Sequence, residues 1–361
     1  MDPTNESSLV VAYLNIRGQT GLPISKQKQI EDFVKLYNID ILHCQEIDIQ
    51  EDTFRECNYL ISTYNIVPNN SQNRYGTASL IRNELNTENL NCDTNGRVIS
   101  FNINEVTFTN LYMPSGNDPI MRTNRENYFA EKIPQILING KSTGCIGGDF
   151  NCILSKDDAT KNPDNKMSPS LKKLVQTFSW KDSFRVLHPK AQIFSRYYEN
   201  AVYGEGATRI DRNYNYGDLK ISEAKYVPVA FSDHMSHIIL VELPDSLSLL
   251  KCPKTRPLFK IKPIVAADPD FKERLANIMV HWQEVRNLGV NTLTWWEYMV
   301  KPGIKKLAIE RGKEMTKEKR YELNLLLLRQ GYLTRKVQLG NLYKKTELKT
   351  VQLQIDQWYQ N

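Results

Sequence analysis

The first 245 residues keep returning to short β-rich apolar runs that stop on a polar or acidic side chain, and this rhythm constrains the fold most. Leu-Val-Val-Ala-Tyr-Leu-Asn-Ile at residues 9 to 16 is one such run, and residues 39 to 46 are another. Between them, residues 25 to 37 repeat apolar side chains at helical spacing, giving a strand, helix, strand opening. Further strands are predicted near 76 to 82, 97 to 103, 106 to 113, 144 to 149 and 236 to 243, with helices near 123 to 138 and 168 to 179. Many strands with a few packed helices predict a layered α/β sandwich.

A chain of 361 residues exceeds one such layered unit, which absorbs roughly 200 to 250 residues. Pro244, Pro253, Pro257 and Pro263 break regular structure where the charge balance also changes sign. Residues 251 to 361 carry 22 Lys/Arg against 11 Asp/Glu, whereas residues 1 to 250 carry 25 against 30. The expected division is a domain over 1–245, a Pro-rich linker over 246–265 and a basic helical extension over 266–361. Helices are predicted at 269 to 286 and 293 to 311, then a hairpin or short coiled coil over 313 to 361, where Tyr321, Leu325, Leu328, Tyr332, Leu339 and Leu342 recur. A basic appendage suits a polyanionic partner, although Glu314, Glu318 and Glu322 alternate with Lys313, Lys317, Lys319 and Arg320 as in a solvated, ion-paired face. Trp295, Trp296 and Trp358 are expected to pack rather than to stack on bases.

The six cysteines form no CxxC pair, so neither a zinc site nor a disulfide framework is indicated. The amino terminus lacks the features of a signal peptide, and no run reaches the length of a membrane span. An intracellular protein without membrane contact is expected.

The polar residues that end the strands carry the chemistry. Asn15 and Arg17 close the first run, Glu46 the second, and Tyr112 precedes Pro114 after a third. Gly147-Gly148-Asp149-Phe150-Asn151 follows a fourth, with glycines that would let the backbone approach a ligand. Arg209-Ile210-Asp211-Arg212 and Ser232-Asp233-His234 complete the series. Carboxylates, amides, a phenol and one histidine are the parts that metal-assisted attack of water on a phosphodiester needs. His43, His188, His237 and His281 are expected to be satisfied or surface histidines, outside the site.

Leu-Asn-Ile-Arg-Gly, Gln-Glu, Tyr-Met-Pro-Ser-Gly, Gly-Asp-Phe-Asn, Arg-Ile-Asp and Ser-Asp-His occur in an order that resembles the endonuclease/exonuclease/phosphatase family over residues 8 to 245. The resemblance implies a two-sheet α/β sandwich followed by a mainly α-helical extension. It also implies Glu46 as principal Mg²⁺ ligand with Asn15 beside it and Asp233 near the metal; Mn²⁺ is the expected substitute. Asp149 would position the water, Asn151 would orient Asp149 or the phosphate, and Tyr112 would contact the phosphate. Asp211 would pair with His234, which would donate to the phosphate. Arg17, two positions after Asn15, stands where many repair endonucleases have an acid, which favours one metal over two.

Asn-Ile-Arg-Gly and Arg-Ile-Asp-Arg resemble the endonuclease of non-LTR (LINE-type) retrotransposon polyproteins. Trp295-Trp296-Glu297 with Lys301-Pro302-Gly303 resembles the stretch that precedes their reverse transcriptase. The activity implied is nicking of double-stranded DNA to a 3′ hydroxyl that primes copying of the element's RNA, in the nucleus. Element RNA and a C-terminal reverse transcriptase domain would be partners. The alternatives are an abasic-site repair endonuclease, a phosphatase on a small phosphoester, and a non-catalytic nucleic-acid-binding module. Arg17, Arg74, Arg122, Arg125, Arg209 and Arg212 are candidate DNA contacts.

Overall fold

The computed structural model describes residues 8–18, 22–70, 76–116, 118–138, 140–200, 204–229, 231–243, 261, 263–289, 291–338, 341 and 343–360. Arg74 and most of the Pro-rich linker lie outside the described residues. The chain forms β1 (Ser8–Asn15), α1 (Ile24–Leu36), β2 (Ile41–Ile47), α2 (Asn58–Thr63), β3 (Tyr64–Asn69), β4 (Gly76–Arg82), β5 (Glu88–Cys92), β6 (Val98–Ile103) and β7 (Val106–Tyr112). Then come α3 (Pro119–Asn127), a π-helical turn, α4 (Ile133–Ile138), β8 (Thr143–Asp149), α5 (Pro169–Thr177), β9 (Lys181–Asp182) and α6 (Ser183–Leu187). The strands β10 (Arg196–Asn200), β11 (Gly204–Thr208), β12 (Asp211–Tyr216), β13 (Lys220–Pro228) and β14 (Met235–Glu242) follow.

One sheet has the order β13-β14-β1-β2-β4-β3 and the other β5-β6-β7-β8-β12-β9, while β10 and β11 make a separate ribbon. The period-2 pattern of β1 explains the layering. Val11 and Tyr13 point between the sheets, where they join Phe101, Phe108 and Cys145. Ala12 and Leu14 point the other way and pack under Ile30, Phe33 and Val34 of α1. These three recur at helical spacing, so α1 buries one stripe and stays polar elsewhere. On the second sheet, Leu111 and Ile146 are covered by Phe129, Ile133 and Leu171. The result is a sandwich of two sheets between helical layers, as the sequence predicts.

Buried polar side chains tie the sheets together beneath the strand ends. Asn110 of β7 donates to the carbonyls of Cys44 and Ala78, each at 3.0 Å, and accepts from Gln45 Nε2 at 2.7 Å. The close approach of the sheets also explains Gly147. A Cβ there would lie 2.7 Å from the Tyr13 ring, and at Gly148, with φ +133°, it would meet the Leu111 carbonyl oxygen. Gly147 therefore serves packing between the sheets and Gly148 a positive-φ position of β8 against its neighbour β7, which corrects the expectation that they open the backbone to a ligand. Gly147→Ala is expected to lower stability by about 1–3 kcal/mol through overpacking against Tyr13, measured by urea unfolding.

Beyond the sandwich the chain is helical, with α7 (Pro263–Ala267), α8 (Pro269–Asn287), α9 (Thr292–Trp295), α10 (Lys301–Gln338) and α11 (Lys344–Gln360). Two compact units result, one of Pro253–Arg329 and the other of Met1–Cys252 together with Gln330–Asn361. In the former, Trp282, Trp295 and Val300 form a small core, and Trp295 Nε1 donates to the Trp282 carbonyl at 2.6 Å. Trp295 thus packs, as expected from sequence. In the latter, α11 packs against α1, with Val351 and Ile355 buried. Among the described residues, no helix is long and apolar enough to cross a membrane, and Cys44, Cys57, Cys92, Cys145 and Cys152 are free thiols.

Candidate active site

Strand pairing brings the sequence motifs to one edge of the sandwich. β1 runs parallel to β2, and β7 parallel to β8, so Asn15, Glu46, Tyr112 and Asp149 all arrive at carboxyl ends. β12 is antiparallel to β8 and places Asp211 opposite Asp149; β14 is antiparallel to β1, so His234, just before it, arrives at the same edge. Glu46 sits at a β-bulge with φ +52°, in the left-handed region. The bulge takes its side chain out of the ladder's alternation. Its carbonyl accepts from Gly18 N at 2.7 Å, and a Cβ at Gly18 would come within 2.8 Å of that oxygen, so only glycine fits the approach.

Each side chain is held by named bonds. Asn15 Nδ2 donates to Asp149 Oδ2 at 2.9 Å, and the Asn151 amide donates to Asp149 Oδ1 at 2.8 Å. Asn151 itself, at φ +49°, donates from Nδ2 to the Met113 carbonyl. Tyr112 donates to Glu46 Oε1 at 3.1 Å. His234 Nδ1 lies 2.8 and 3.0 Å from the two oxygens of Asp211. A carboxylate there makes Nδ1 the protonated nitrogen and leaves Nε2 for other contacts.

Burial disfavours charge on His234, but Asp211, with help from Asp149, outweighs it and His234 is pushed up to about 9. The imidazole is therefore cationic at neutral pH. Burial, then the neighbouring Asp211 and Glu46, push Asp149 up to about 6, against the pull of His234 and Asn15. Burial, Glu46 and Asp149 raise Tyr112 far above the usual phenol range, so it stays a neutral donor. Asp233 lies 3.4 Å from Arg196 Nε and 3.8 Å from Arg17 Nε. Despite burial, His234 and these guanidiniums hold Asp233 below the ordinary carboxylate range.

Two participants escape sequence reading. Ser195 accepts from the amides of Ile210 and Asp211 and donates to Asp211 Oδ2 at 2.6 Å, which fixes the carboxylate that holds His234. Arg196 reaches Asp233 because its backbone bridges to His234. Neither sits in a motif ending a strand; only the fold brings Phe-Ser-Arg beside Ser-Asp-His. Three expected DNA contacts are instead internal. Arg125 is buried and donates to the Pro114 and Gly116 carbonyls. Arg212 is buried against Phe150 and donates to the Cys152 carbonyl. Arg209 is locked between Asp158 and Asp182 at 2.8 and 2.6 Å. Their charges are spent inside the domain. Arg17 is exposed and Arg122 half-buried.

The donor set fits a hard divalent cation. Asp149 and Asp211 stand at this edge with His234, all within 4.8 Å, and Glu46 and Asn15 add oxygens beside them; His234, bonded through Nδ1 to Asp211 and protonated, serves as a donor and not as a ligand. Burial first, and then the neighbouring Asp211 and Glu46 carboxylates, raise the Asp149 carboxyl, and a bound cation would relieve the second of these.

Two mixed sheets flanked by helices, with the site at one edge, define the endonuclease/exonuclease/phosphatase fold. Similar solved structures include an AP endonuclease from Archaeoglobus fulgidus, 18% identical with TM-score 0.53, covering 64% of this chain and 98% of that one. A 3′ phosphatase from Neisseria, bound to product DNA hairpin, is 18% identical with TM-score 0.53 over 65% and 99%. An AP endonuclease from Leishmania major is 17% identical with TM-score 0.50 over 68% and 90%. No protein-family model and no curated protein sequence matches the chain.

Proposed function

We propose that this chain is a Mg²⁺-dependent endonuclease that nicks double-stranded DNA and leaves a 3′ hydroxyl. The observation that carries this is the convergence of Asp149, Asp211 and His234 at strand ends that also deliver Glu46 and Asn15. Ser195 is committed to Asp211 and to two backbone amides, so its hydroxyl is no nucleophile, and water takes that part.

Glu46 and Asn15, with Asp233 at the margin, would hold a Mg²⁺ ion, which when bound would neutralise phosphate charge and polarise the P–O bond. Asp149, oriented by Asn15 and by the Asn151 amide, takes a proton from the attacking water. The water oxygen bonds to phosphorus, the P–O3′ bond breaks, and the leaving 3′ oxygen takes a proton from solvent water to become the hydroxyl. Asp211 keeps His234 charged and oriented so that Nε2 donates to the phosphate as negative charge builds. Tyr112 positions Glu46 and lies beside the phosphate.

Asn-Ile-Arg-Gly, Arg-Ile-Asp-Arg and the Trp295-Trp296-Glu297 stretch support a finer assignment, the target-nicking step of a non-LTR retrotransposon. There the 3′ hydroxyl primes reverse transcription in the nucleus, with element RNA and a reverse transcriptase domain as partners.

End chemistry tests the cutting step. Nicked DNA should be extended by a DNA polymerase without prior phosphatase treatment; ends that need phosphatase first, or release of terminal phosphate alone, would reject it. Glu46→Gln, which replaces an anionic ligand with a neutral amide, is expected to raise the Mg²⁺ concentration for half-maximal cutting by at least about tenfold, read from a Mg²⁺ titration.

A further inference from the structure

Helix α10 is apolar on two sides. The side that carries Gln330, Leu333 and Val337 is buried, and Gln330 Nε2 donates to Gln352 of α11 at 2.9 Å. Tyr321, Leu325, Leu328 and Tyr332 lie on the opposite side of the same helix, because steps of four, three and four residues return to one stripe at about 3.6 residues per turn. Each of these four is at least 51% exposed. A surface helix normally carries one apolar stripe, turned to the core. On α10 a second stripe, with the spacing of a coiled-coil seam, faces solvent.

The exposed stripe is complementary to itself. In either direction along the helix it runs Tyr-Leu-Leu-Tyr with the same steps. A second α10 laid antiparallel about a twofold axis between Leu326 and Leu327 therefore sets Tyr321 against Tyr332 and Leu325 against Leu328, twice each. The flanking charges agree. Glu322 and Arg329, both exposed, follow Tyr321 and Leu328 by one residue and line the same edge of the stripe. In the antiparallel arrangement Glu322 of each copy faces Arg329 of the other, giving two opposite-charge pairs; a parallel arrangement in register keeps these residues two turns apart. We propose that the exposed stripe of α10 is a homodimer seam, on which a second copy of this chain lays its own α10 antiparallel. A stripe shaped for an unrelated protein has no reason to match itself under twofold symmetry in both its apolar steps and its charges. A seam this short corresponds to association in the micromolar range.

Sedimentation equilibrium of the full chain, free of nucleic acid, tests this. Between about 1 and about 100 µM the wild type should pass from its monomer mass of 41.8 kDa to twice that mass. Leu325→Glu combined with Leu328→Glu brings two carboxylates from each copy into the seam at exposed helical positions. It should leave the chain monomeric with an unchanged circular dichroism spectrum. Glu322→Arg alone and Arg329→Glu alone each turn both charge pairs repulsive and should weaken self-association by about tenfold. An equimolar mixture of these two single variants should recover wild-type association, because every pair across the antiparallel seam is then again of opposite charge. A wild type that stays monomeric throughout, as a stripe reserved for a different protein would leave it, overturns the proposal. So does a dimer that survives the paired leucine substitutions, or a mixture that associates no better than its components.

Discussion

Replacing His234 with alanine is expected to lower DNA nicking by about 10²–10³-fold while leaving the sandwich folded, and Asp149→Ala should do at least as much. A preorganised donor aimed at a developing phosphorane is worth roughly 3–4 kcal/mol of transition-state stabilisation. His234 is organised in that sense: Asp211 holds Nδ1, Ser195 holds Asp211, and Ser232 holds the His234 amide at 3.1 Å. Because His234 and Asp211 form a buried pair, His234→Ala also strands the Asp211 carboxylate and costs stability, although Ser195 still donates to Asp211. Ser195→Ala should produce a smaller loss through Asp211, because it acts on the orientation of the imidazole and not on the phosphate. Far-UV circular dichroism and urea midpoints of each variant separate lost chemistry from lost fold.

Arg209→Ala should destabilise the domain by about 3–5 kcal/mol, the usual cost of removing one partner from a buried ion network. Arg209 is 2% exposed, and its removal strands Asp158 and Asp182. Burial favours the neutral form of both acids, yet Arg209 overcomes it and holds them below the ordinary carboxylate range. The sign of the pH dependence follows. Because the folded pKa lies below the unfolded one, this stabilisation is fully present above the ordinary carboxylate pKa and drains as pH falls through the depressed folded value. Acid unfolding of the wild type should therefore be steeper than that of a variant in which Arg209, Asp158 and Asp182 are all made apolar. Urea unfolding of Arg209→Ala at neutral pH gives the magnitude directly.

The same arginine marks where sequence reading stops. Charge alone places Arg125, Arg209 and Arg212 on a surface, since nothing local announces that Asp158, Asp182 or the Cys152 carbonyl will surround them. Strands β1, β2, β4, β6, β7, β8 and β14 are legible because their apolar runs are fully or nearly buried. β5, all exposed, and β12, whose Asp-Arg-Asn-Tyr-Asn-Tyr is buried despite its polarity, carry no such signal. Asn213 of β12 finds its partner in Tyr13, 200 positions away, which no local pattern encodes. The strand-end residues of the site could be read because chemistry and strand ends coincide in the sequence. Ser195 and Arg196 could not, because the β-bridge between Arg196 and His234 is a property of the fold.

Relaxation of supercoiled plasmid by the purified chain tests the central claim most directly. Open circles should accumulate in Mg²⁺, none should form in EDTA, and folded His234→Ala should be slower by the factor given above. Nicking that persists in EDTA, or a folded His234→Ala variant with wild-type rates, would contradict the assignment of this site to metal-assisted phosphodiester hydrolysis.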